Sequence, residues 1–216
     1  MNHALQSKIF RLYVSGSNAC FTRPEMKAER VSYDVITPSS ARGILEAIFW
    51  KPALRWVIQR IDVLSPIRWE NIRRNELGTV ISVRTHHLFI EEHRQQRAAL
   101  ILKDVAYVIH AYFELTGKEP EGNTLQKLSA MFQRRVRKGQ CFHRPYFGTR
   151  EFAVEDFHLI HNEDDLPPSI QEDQDLGLML YDMEFSTHPP YPLFFHAKMR
   201  EGTISIPHPQ SREVLR

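Results

Sequence analysis

A short segment at residues 138–148, KGQCFHRPYFG, holds residue types that can act on a nucleic acid. His143 can exchange a proton with a substrate, and Arg144 can bind a phosphate. Phe142 or Tyr146 can stack on an unpaired base. Because neighbouring positive charge disfavours a protonated imidazole, His143 is the candidate general base of this segment.

The same segment also has a structural interpretation, in which Tyr146 and Phe147 pack into the hydrophobic core. We favour that interpretation for the two aromatic side chains and a functional one for His143 and Arg144. The two glycines of the segment permit a close approach between the backbone and a neighbour, whether that neighbour is a ligand or the protein itself.

The segment belongs to a longer basic stretch, residues 122–150, which contains seven lysines and arginines and no aspartate or glutamate. Like charges in one stretch repel one another, and a bound polyanion would remove that repulsion. The competing interpretation is a solvated surface whose counterions come from acidic residues elsewhere. We expect nucleic-acid binding, with these candidate phosphate contacts: Arg134, Arg135, Arg137, Lys138 and Arg144.

Part of this stretch, residues 125–137, has the period of an amphipathic helix. Its predicted apolar face consists of Leu125, Leu128, Phe132 and Val136, and its basic face of Lys127, Arg134 and Lys138. A helix that packs through one face would present its cations to solvent, or to phosphates, through the other.

A second candidate segment, residues 39–56, places Arg42 and Lys51 near the start and the end of another predicted helix. A Thr-Pro pair before it supplies an N-cap and a first-turn proline, and a later proline ends it. Because a helix N-terminus attracts anions, Arg42 is a candidate phosphate contact, as is Lys51. Trp50 and Trp56 are predicted to be core residues.

The composition is that of a globular protein of one large domain or two small ones, with 216 residues, 42% of them hydrophobic and 25% charged. Residues 1–152 carry 24 Lys and Arg against 14 Asp and Glu. Residues 153–216 carry 4 against 12, which leaves a net charge of +2. The chain therefore has a basic part followed by an acidic part, as expected for a basic working face.

Several classes of protein are excluded by what the sequence lacks. It has neither an apolar run long enough for a membrane span nor a recognisable signal peptide, so we expect a cytoplasmic protein. Cys20 and Cys141 are too few for a disulfide framework. Nucleotide-binding and hydrolase motifs are absent, and the eleven histidines lack ligand spacing, so neither a cofactor nor a metal site is expected.

The order of predicted elements fits an α+β protein with a ferredoxin-like or RNA-recognition-like layer. Strands are predicted at residues 8–15, 31–36, 55–67, 79–83, 99–115 and 150–160, helices at 37–49 and 125–137, and a turn at 117–123. Strands at 176–185, 193–199 and 203–206 predict a small β-rich C-terminal part. We therefore divide the chain into residues 1–152, the RNA-binding and catalytic domain, and residues 153–216, a small antiparallel domain.

Four long runs lie in order across nearly the whole chain: FTRPEMKAERVSYDVITPSSARGILEAIFWKPALRWVIQRIDVLSPIRW, RKGQCFHRPYFGTREF, LGLMLYDMEF and FFHAKMREGTISIP. They resemble the Cas5 family of CRISPR-associated proteins, in its type I-C (d) subtype. The resemblance implies a RAMP-type fold and a metal-independent endoribonuclease that cuts the repeat hairpin of precursor CRISPR RNA. It also implies that the protein stays on the 5′ handle as a subunit of the type I-C interference complex.

The chemistry implied by the resemblance is attack of a ribose 2′-OH on the adjacent phosphate, which needs a base, a cation and a proton donor. The family's tyrosine falls on Phe49, and its Lys-His pair falls on Lys127 and Leu128. Lys127 can stabilise the phosphorane, but the other two side chains cannot exchange protons. In one hypothesis His143 or Tyr146 takes the acid–base role beside Lys127. In the other, the protein binds processed RNA and cuts poorly or not at all.

A further alternative is a structural protein that binds nucleic acid, including duplex DNA. The basic residues by themselves do not distinguish RNA from DNA, because phosphates are common to both. A 2′-deoxy substitution at the cut position does distinguish the hypotheses, since it removes the attacking hydroxyl and leaves binding nearly intact.

Overall fold

Three α-helices and nine strands form in the described part of the chain in this computed structural model, which describes residues 5–26, 28–79, 89–117, 124–185 and 187–216. The strands are β1 (Phe10–Ala19), β2 (Arg30–Val31), β3 (Leu54–Val63), β4 (Trp69–Leu77), β5 (Arg94–Leu115), β6 (Asp156–Ile160), β7 (Gln174–Glu184), β8 (Tyr191–Arg200) and β9 (Thr203–Ser205). The helices are α1 (Pro38–Ile48), α2 (Ile90–His93) and α3 (Leu125–Arg137).

The two long helices begin where the sequence predicts them. The Thr37 hydroxyl accepts from Ser40 N at 3.3 Å and caps α1, whose first residue is a proline. The Thr124 hydroxyl accepts from Lys127 N at 3.2 Å and caps α3 in the same way. Each cap satisfies a backbone N–H that has no partner inside its helix, which defines the start of the helix.

Four strands form a ferredoxin-like layer in the order β6-β1-β5-β3, with every adjacent pair antiparallel. Helices α1 and α3 pack on one face of it, because their apolar residues share one core with alternate residues of the strands. The shared core includes Leu12, Val14, Ile44, Ile48, Ile109, Phe113, Leu128 and Phe132. The prediction of an α+β fold with a ferredoxin-like layer is confirmed.

The C-terminal strands extend this sheet. β9 pairs with β3, β8 with β9, and β7 with β8, all of them antiparallel. β6 lies after residue 152 and pairs with β1 inside the ferredoxin-like layer. The C-terminal part is β-rich as expected, and its strands are continuous with the main sheet. The division of the chain into domains of residues 1–152 and 153–216 stays a prediction.

Strand β4 was not predicted from the sequence. It pairs with the first half of β5, which spans 22 residues and begins five residues before the predicted start. β4 reads WENIRRNEL, with charged residues on both faces, so it lacks the alternation of apolar and polar residues that marks a half-buried strand. The predicted strand at 79–83 and the turn at 117–123 lie mostly outside the described residues.

A buried polar network joins β3, β5 and β9. The carboxylate of Asp62 contacts His110 Nε2 at 2.7 Å and accepts two bonds from the Arg60 guanidinium at 2.8 and 2.7 Å. The Thr203 hydroxyl donates to the same carboxylate at 3.1 Å. Burial by itself would raise the pKa of Asp62, but the bonds from His110 and Arg60 outweigh it and lower the pKa to about 2. The network therefore holds an ionised carboxylate inside the sheet.

Candidate nucleic-acid interface

Helix α3 presents a basic face opposite a buried apolar one. Leu128, Phe132 and Val136 are buried, and the predicted apolar stripe is confirmed at these positions. The side chains on the other side are solvent-exposed: Lys127, Arg134, Arg137 and Lys138. Because the packed face fixes the orientation of the helix, these cations are presented from a rigid support.

Arg135 differs from the other cations of α3. Its Nη1 donates to the carbonyl oxygen of Ile48 at 2.9 Å, and its guanidinium lies 5.8 Å from the centre of the Phe49 ring. The side chain is half-buried between the two helices. Arg135 thus caps the C-terminal end of α1, which is a structural contact in addition to the positive charge it contributes.

A cleft of about 670 Å³ separates α3 from strand β6, at the edge of the sheet. Its basic lining consists of Arg134, Arg137, Arg144, His158 and His161, and its acidic lining of Glu155 and Asp156. The three arginines lie on the α3 side of the cleft and on the loop after it, and the two histidines lie on the β6 side. The predicted basic surface therefore borders a concave feature, as a phosphate-binding groove requires.

The loop at residues 139–148 follows α3 and forms backbone hydrogen bonds with two other parts of the chain. Phe142 N donates to the carbonyl oxygen of Ala47 in α1 at 2.7 Å, and Cys20 N donates to that of Phe147 at 3.0 Å. Phe147 is buried and Tyr146 is half-buried, so the core interpretation holds for Phe147 and only partly for Tyr146. The loop is therefore a rigid connection between α3 and the sheet.

The two glycines of this loop have different surroundings. A Cβ on Gly148, whose φ is +80°, would lie 2.0 Å from the carbonyl oxygen of Cys20, so any side chain there would collide with the backbone. Gly139 has a φ of +62°, with no atom within 4 Å of the position of a Cβ. The close backbone approach expected from the sequence occurs at Gly148, and the neighbour is the end of β1.

Arg144 fastens the far side of the loop. Its Nε donates to the carbonyl oxygen of Val154 at 2.8 Å, and its Nη2 to that of Glu155 at 2.9 Å. These bonds orient the guanidinium, which is partly exposed and lines the cleft beside α3. Arg144 combines a structural contact with a cation at the candidate interface.

His143 is exposed, and one of its ring nitrogens is occupied. Nδ1 lies 3.1 Å from the carbonyl oxygen of Arg144. Since a carbonyl oxygen can only accept, Nδ1 carries the hydrogen, which leaves Nε2 of the neutral ring with a lone pair. The ring centre lies 5.8 Å from that of Tyr146, with the two planes 28° apart. The structure therefore brings His143 and Tyr146 together.

Lys127 lies at the opposite end of α3 from this pair. The loop meets α1 at Ala47, beside the Arg135 contact, and eight residues of helix separate Arg135 from Lys127. This spacing corresponds to about 12 Å along the axis of α3. The fold thus places Lys127 in the first turn of the helix and His143 beyond its last turn.

Phe49 and Leu128, the positions onto which the resemblance maps a tyrosine and a histidine, belong to the hydrophobic core. Phe49 is 1% exposed and Leu128 is 0% exposed. Phe49 packs against Phe132 of α3, with ring centres 6.4 Å apart. Both residues stabilise the contact between α1 and α3, and neither side chain is accessible to a substrate.

Arg42 and Lys51 lie at the two ends of the α1 segment, as predicted. The Arg42 guanidinium donates two bonds to Asp182 at 2.9 and 2.8 Å and one to Glu46 at 2.6 Å. Burial alone would lower its pKa, but the two carboxylates raise it. Arg42 therefore joins α1 to β7 with most of its charge compensated, while Lys51 is half-buried at the end of the helix.

The prediction that Trp50 belongs to the core is wrong, since the side chain is 57% exposed. Trp56 is buried as predicted, and its Nε1 donates to the carbonyl oxygen of Phe49 at 2.9 Å. Helix α1 ends at Ile48 and the chain continues with extended backbone at Phe49, so consecutive side chains point in opposite directions. The adjacent Phe and Trp at a predicted helix end could have indicated that only one of them is buried.

The described residues contain neither a candidate metal site nor a helix that could cross a membrane. Among them, no three or more His, Cys, Asp or Glu side chains are grouped so as to hold a metal ion. In the same ranges, none of the helices combines the length and the apolarity needed to cross a membrane.

Comparison with known proteins gives matches over most of the chain. A family model described as CRISPR-associated protein (Cas_Cas5) matches residues 9–207. A protein of Mannheimia succiniciproducens, named CRISPR pre-crRNA endoribonuclease Cas5d, is 50% identical over 95% of this chain and 98% of its own length. A protein of Thermus thermophilus with the same name is 40% identical over 95% of this chain and 94% of its own length.

Solved structures share the fold. A crystal structure of a CRISPR-associated protein superposes with a TM-score of 0.74 at 25% identity and covers 100% of both chains. A functionally uncharacterized protein from Streptococcus mutans superposes with a TM-score of 0.72 at 24% identity, covering 99% of this chain and 100% of its own. The arrangement of helices and strands described above therefore recurs over the full length of other proteins.

Proposed function

Because this chain belongs to the Cas5 family of CRISPR-associated proteins, we propose that it is an endoribonuclease that processes precursor CRISPR RNA. The observation that carries the proposal is the relative of that name, 50% identical over 95% of the chain. The exposed cations of α3, which lie in a stretch of 29 residues without an acidic side chain, support RNA as the substrate. After cleavage the protein would stay on the 5′ handle as a subunit of the type I-C interference complex.

The reaction proposed is metal-independent cleavage by the ribose 2′-OH adjacent to the cut phosphate. His143 is proposed as the group that removes the proton of this hydroxyl, because its Nε2 is an available acceptor and its ring is exposed. Tyr146, which stacks on His143, is the proposed proton donor or positioning group. The products would be a 2′,3′-cyclic phosphate and a 5′-OH.

The phosphorane needs positive charge beside it, and the cations near His143 are those of the last turn of α3 and the loop. Lys138 is the C-cap residue of the helix and Arg144 borders the cleft. Lys127 matches the family's lysine and stays a candidate for stabilising the phosphorane. It would contact the RNA at the cut if the bound RNA spans the length of α3. The wider set of proposed RNA contacts is Arg42, Lys51, Arg134, Arg135, Arg137, Lys138 and Arg144.

The second candidate function is an RNA-binding subunit that cuts poorly or not at all. The burial of Phe49 and Leu128 favours it, because neither position can supply a proton-exchanging side chain. Loss of one general acid–base partner lowers a rate by about 10²–10⁴-fold. Under this alternative the basic face of α3 would hold RNA, or duplex DNA, that another enzyme has prepared.

A single-turnover cleavage assay in EDTA tests the proposed function. The substrates are the host's own CRISPR repeat RNA and the same RNA with a 2′-deoxy nucleotide at the cut position. We expect cleavage of the RNA and none of the deoxy analogue, because only the first contains the attacking hydroxyl. Binding of both substrates with similar affinity serves as the control.

The same assay identifies the alternative. Tight binding of the repeat RNA without cleavage would contradict the endoribonuclease and support the RNA-binding subunit. Cleavage of the deoxy analogue would exclude 2′-OH attack. Equal affinity for a DNA duplex of the same length would extend the binding function to DNA.

Neutralising one cation of α3 should weaken RNA binding uniformly across sequences. For Arg134→Gln we expect the slope of log binding constant against log salt concentration to flatten by about 0.7–0.9, the contribution of one phosphate contact. Lys198→Gln is a matched control, because Lys198 is exposed on β8 in the acidic part of the chain. A slope that Arg134→Gln leaves unchanged would remove Arg134 from the interface.

A further inference from the structure

Two large aromatic side chains are exposed at the C-terminal end of α1. The Phe142 ring is 89% exposed and the Trp50 side chain is 57% exposed. Leaving rings of this size in water forgoes the free energy of burying them. Phe142 comes from the loop after α3 and Trp50 from the segment that follows α1, and the backbone of Phe142 bonds to Ala47, three residues before Trp50.

The backbone beneath both rings is fixed by hydrogen bonds. The last two carbonyl oxygens of α1 and that of the C-cap residue Phe49 accept from three different parts of the chain: Ala47 O from Phe142 N at 2.7 Å, Ile48 O from Arg135 Nη1 at 2.9 Å and Phe49 O from Trp56 Nε1 at 2.9 Å. These bonds satisfy carbonyls that a helix end leaves unpaired. The rings are therefore exposed on a rigid support, which lowers the conformational entropy that binding would cost.

The neighbourhood is basic. Lys51 follows Trp50, and His143 follows Phe142, with its ring 6.1 Å from the phenyl ring. Phe142 lies within the stretch of residues 122–150 that contains no acidic side chain. An apolar surface with the cations of Lys51 and Arg135 at the same helix end matches a nucleotide, whose base is flat and apolar on its faces and whose phosphate is negative.

We propose that Trp50 and Phe142 form a stacking site for an unpaired nucleobase of the bound RNA, next to His143. The inference rests on the proposed function, since it names how the same site holds its substrate. Stacking of a base on Phe142 would place the ribose and phosphate of that nucleotide beside the imidazole. The two rings therefore act as positioning residues, which orient the RNA and exchange no proton.

Equilibrium binding to two RNAs tests the stacking site. One is the single-stranded 5′ handle of the host repeat and the other a fully paired duplex of equal length. For Trp50→Ala and for Phe142→Ala we expect affinity for the single strand to fall about 5- to 150-fold, the loss of one stacked base. Affinity for the duplex should change less than about twofold, because paired bases are not available to the rings.

Two control variants separate stacking from other effects. Phe142→Tyr keeps an aromatic face and should bind the single strand like the unaltered protein. Phe185→Ala removes a ring that is 70% exposed but follows the acidic end of β7, and it should leave binding unchanged. The salt slope should be the same in all variants, since stacking releases no counterions. A 2-aminopurine placed at the stacked position should lose fluorescence on binding and regain it with Phe142→Ala.

The possible failures are distinguishable. If the RNA is cleaved but both alanine variants bind it like the unaltered protein, the stacking site is overturned and the proposed function stands. If the alanine variants lose affinity for the single strand while the RNA is never cut, the stacking site stands and the cleavage proposal fails. If the alanine variants lose equal affinity for the single strand and the duplex, the two rings contact the RNA backbone. If the variants bind RNA normally and fail only to assemble with other subunits, the two rings contact a protein. Either result overturns stacking, and an unaltered protein that binds no RNA overturns both proposals.

Discussion

His143→Ala is expected to lower the single-turnover rate of RNA cleavage by about 100-fold or more while the affinity for RNA stays within about twofold. The Nδ1 hydrogen of His143 is directed at the Arg144 carbonyl oxygen, so Nε2 is the acceptor that a 2′-OH would meet. Alanine removes that acceptor. The loop should keep its structure, because its fastenings are the backbone bonds of Phe142 and Phe147 and the Arg144 guanidinium.

A matched control for this prediction is His196→Ala. His196 is exposed like His143, but it lies on β8 beside Asp175 in the acidic part of the chain. Its replacement should leave the cleavage rate unchanged. Partial recovery of His143→Ala by added imidazole would identify the missing base. Full activity of His143→Ala would refute the assignment, and Tyr146→Phe would then be the next variant to measure.

Asp62→Ala is expected to lower the free energy of unfolding by about 1–3 kcal/mol, the cost of leaving a buried hydrogen-bonding group without its partner. The substitution takes the only carboxylate from a described network in which His110, Arg60 and Thr203 all contact it. The buried His110 imidazole would lose this partner inside the sheet and carry the desolvation cost, whereas the Arg60 side chain, 41% exposed, can bond to water instead. Urea or thermal unfolding measures the change.

The matched control is Glu70→Ala. Glu70 pairs with Lys103 at 3.3 Å on the surface between β4 and β5, and both side chains are well exposed. Surface pairs of this kind contribute about 0–1 kcal/mol, so the control should unfold almost like the unaltered protein. Equal losses from the two substitutions would contradict the view that the buried network stabilises the junction of β3, β5 and β9.

The pH dependence of unfolding gives a second measurement on Asp62. Its pKa of about 2 in the folded state lies below the usual value of a carboxyl group. A lowered pKa adds stability that is fully present above the unfolded value and is lost as the pH falls from about 4 through 2. The unaltered protein should lose stability over that interval, and Asp62→Ala should lose less. Parallel pH profiles would contradict the assignment.

The local structure of the helices followed directly from the sequence. Thr37 and Thr124 begin α1 and α3, and the spacing of Leu128, Phe132 and Val136 identifies the face that packs. These signals act within one or two turns of chain, so they can be recognised without knowledge of any distant contact. The order of the strands and helices that form the ferredoxin-like layer could be predicted for the same reason, whereas β4 could not.

The chemistry of the candidate site also began with the sequence, because residue type decides what a side chain can do. His143 can exchange a proton and Phe142 can stack on a base in any fold. The motifs that carry the family resemblance are long enough to indicate RNA processing without coordinates. Residue type does not tell which of these side chains already bond to or pack against other parts of the protein.

The tertiary structure decided that question. The Arg42 guanidinium bonds to Asp182, 140 positions away in the chain, and the Arg144 guanidinium bonds to the carbonyl oxygens of Val154 and Glu155. Phe49 and Trp50 are neighbours in sequence, yet Phe49 is buried and Trp50 is exposed. The helix ends at Ile48, and the extended backbone that follows directs consecutive side chains to opposite sides. The burial and the bonding partners of these residues depend on packing against distant segments, which the periodicity of a single segment does not predict.

The sequence by itself thus determined the family, the two long helices and the residue types available for acting on RNA. Only the fold decided that His143 and Tyr146 are neighbours, that Lys127 lies at the other end of α3, and that the ring of Phe142 stays in solvent. The physical reason is the range of the interactions. Caps and hydrophobic periods act within a few residues, whereas burial and charge pairing depend on chain segments that meet only when the sheet has formed.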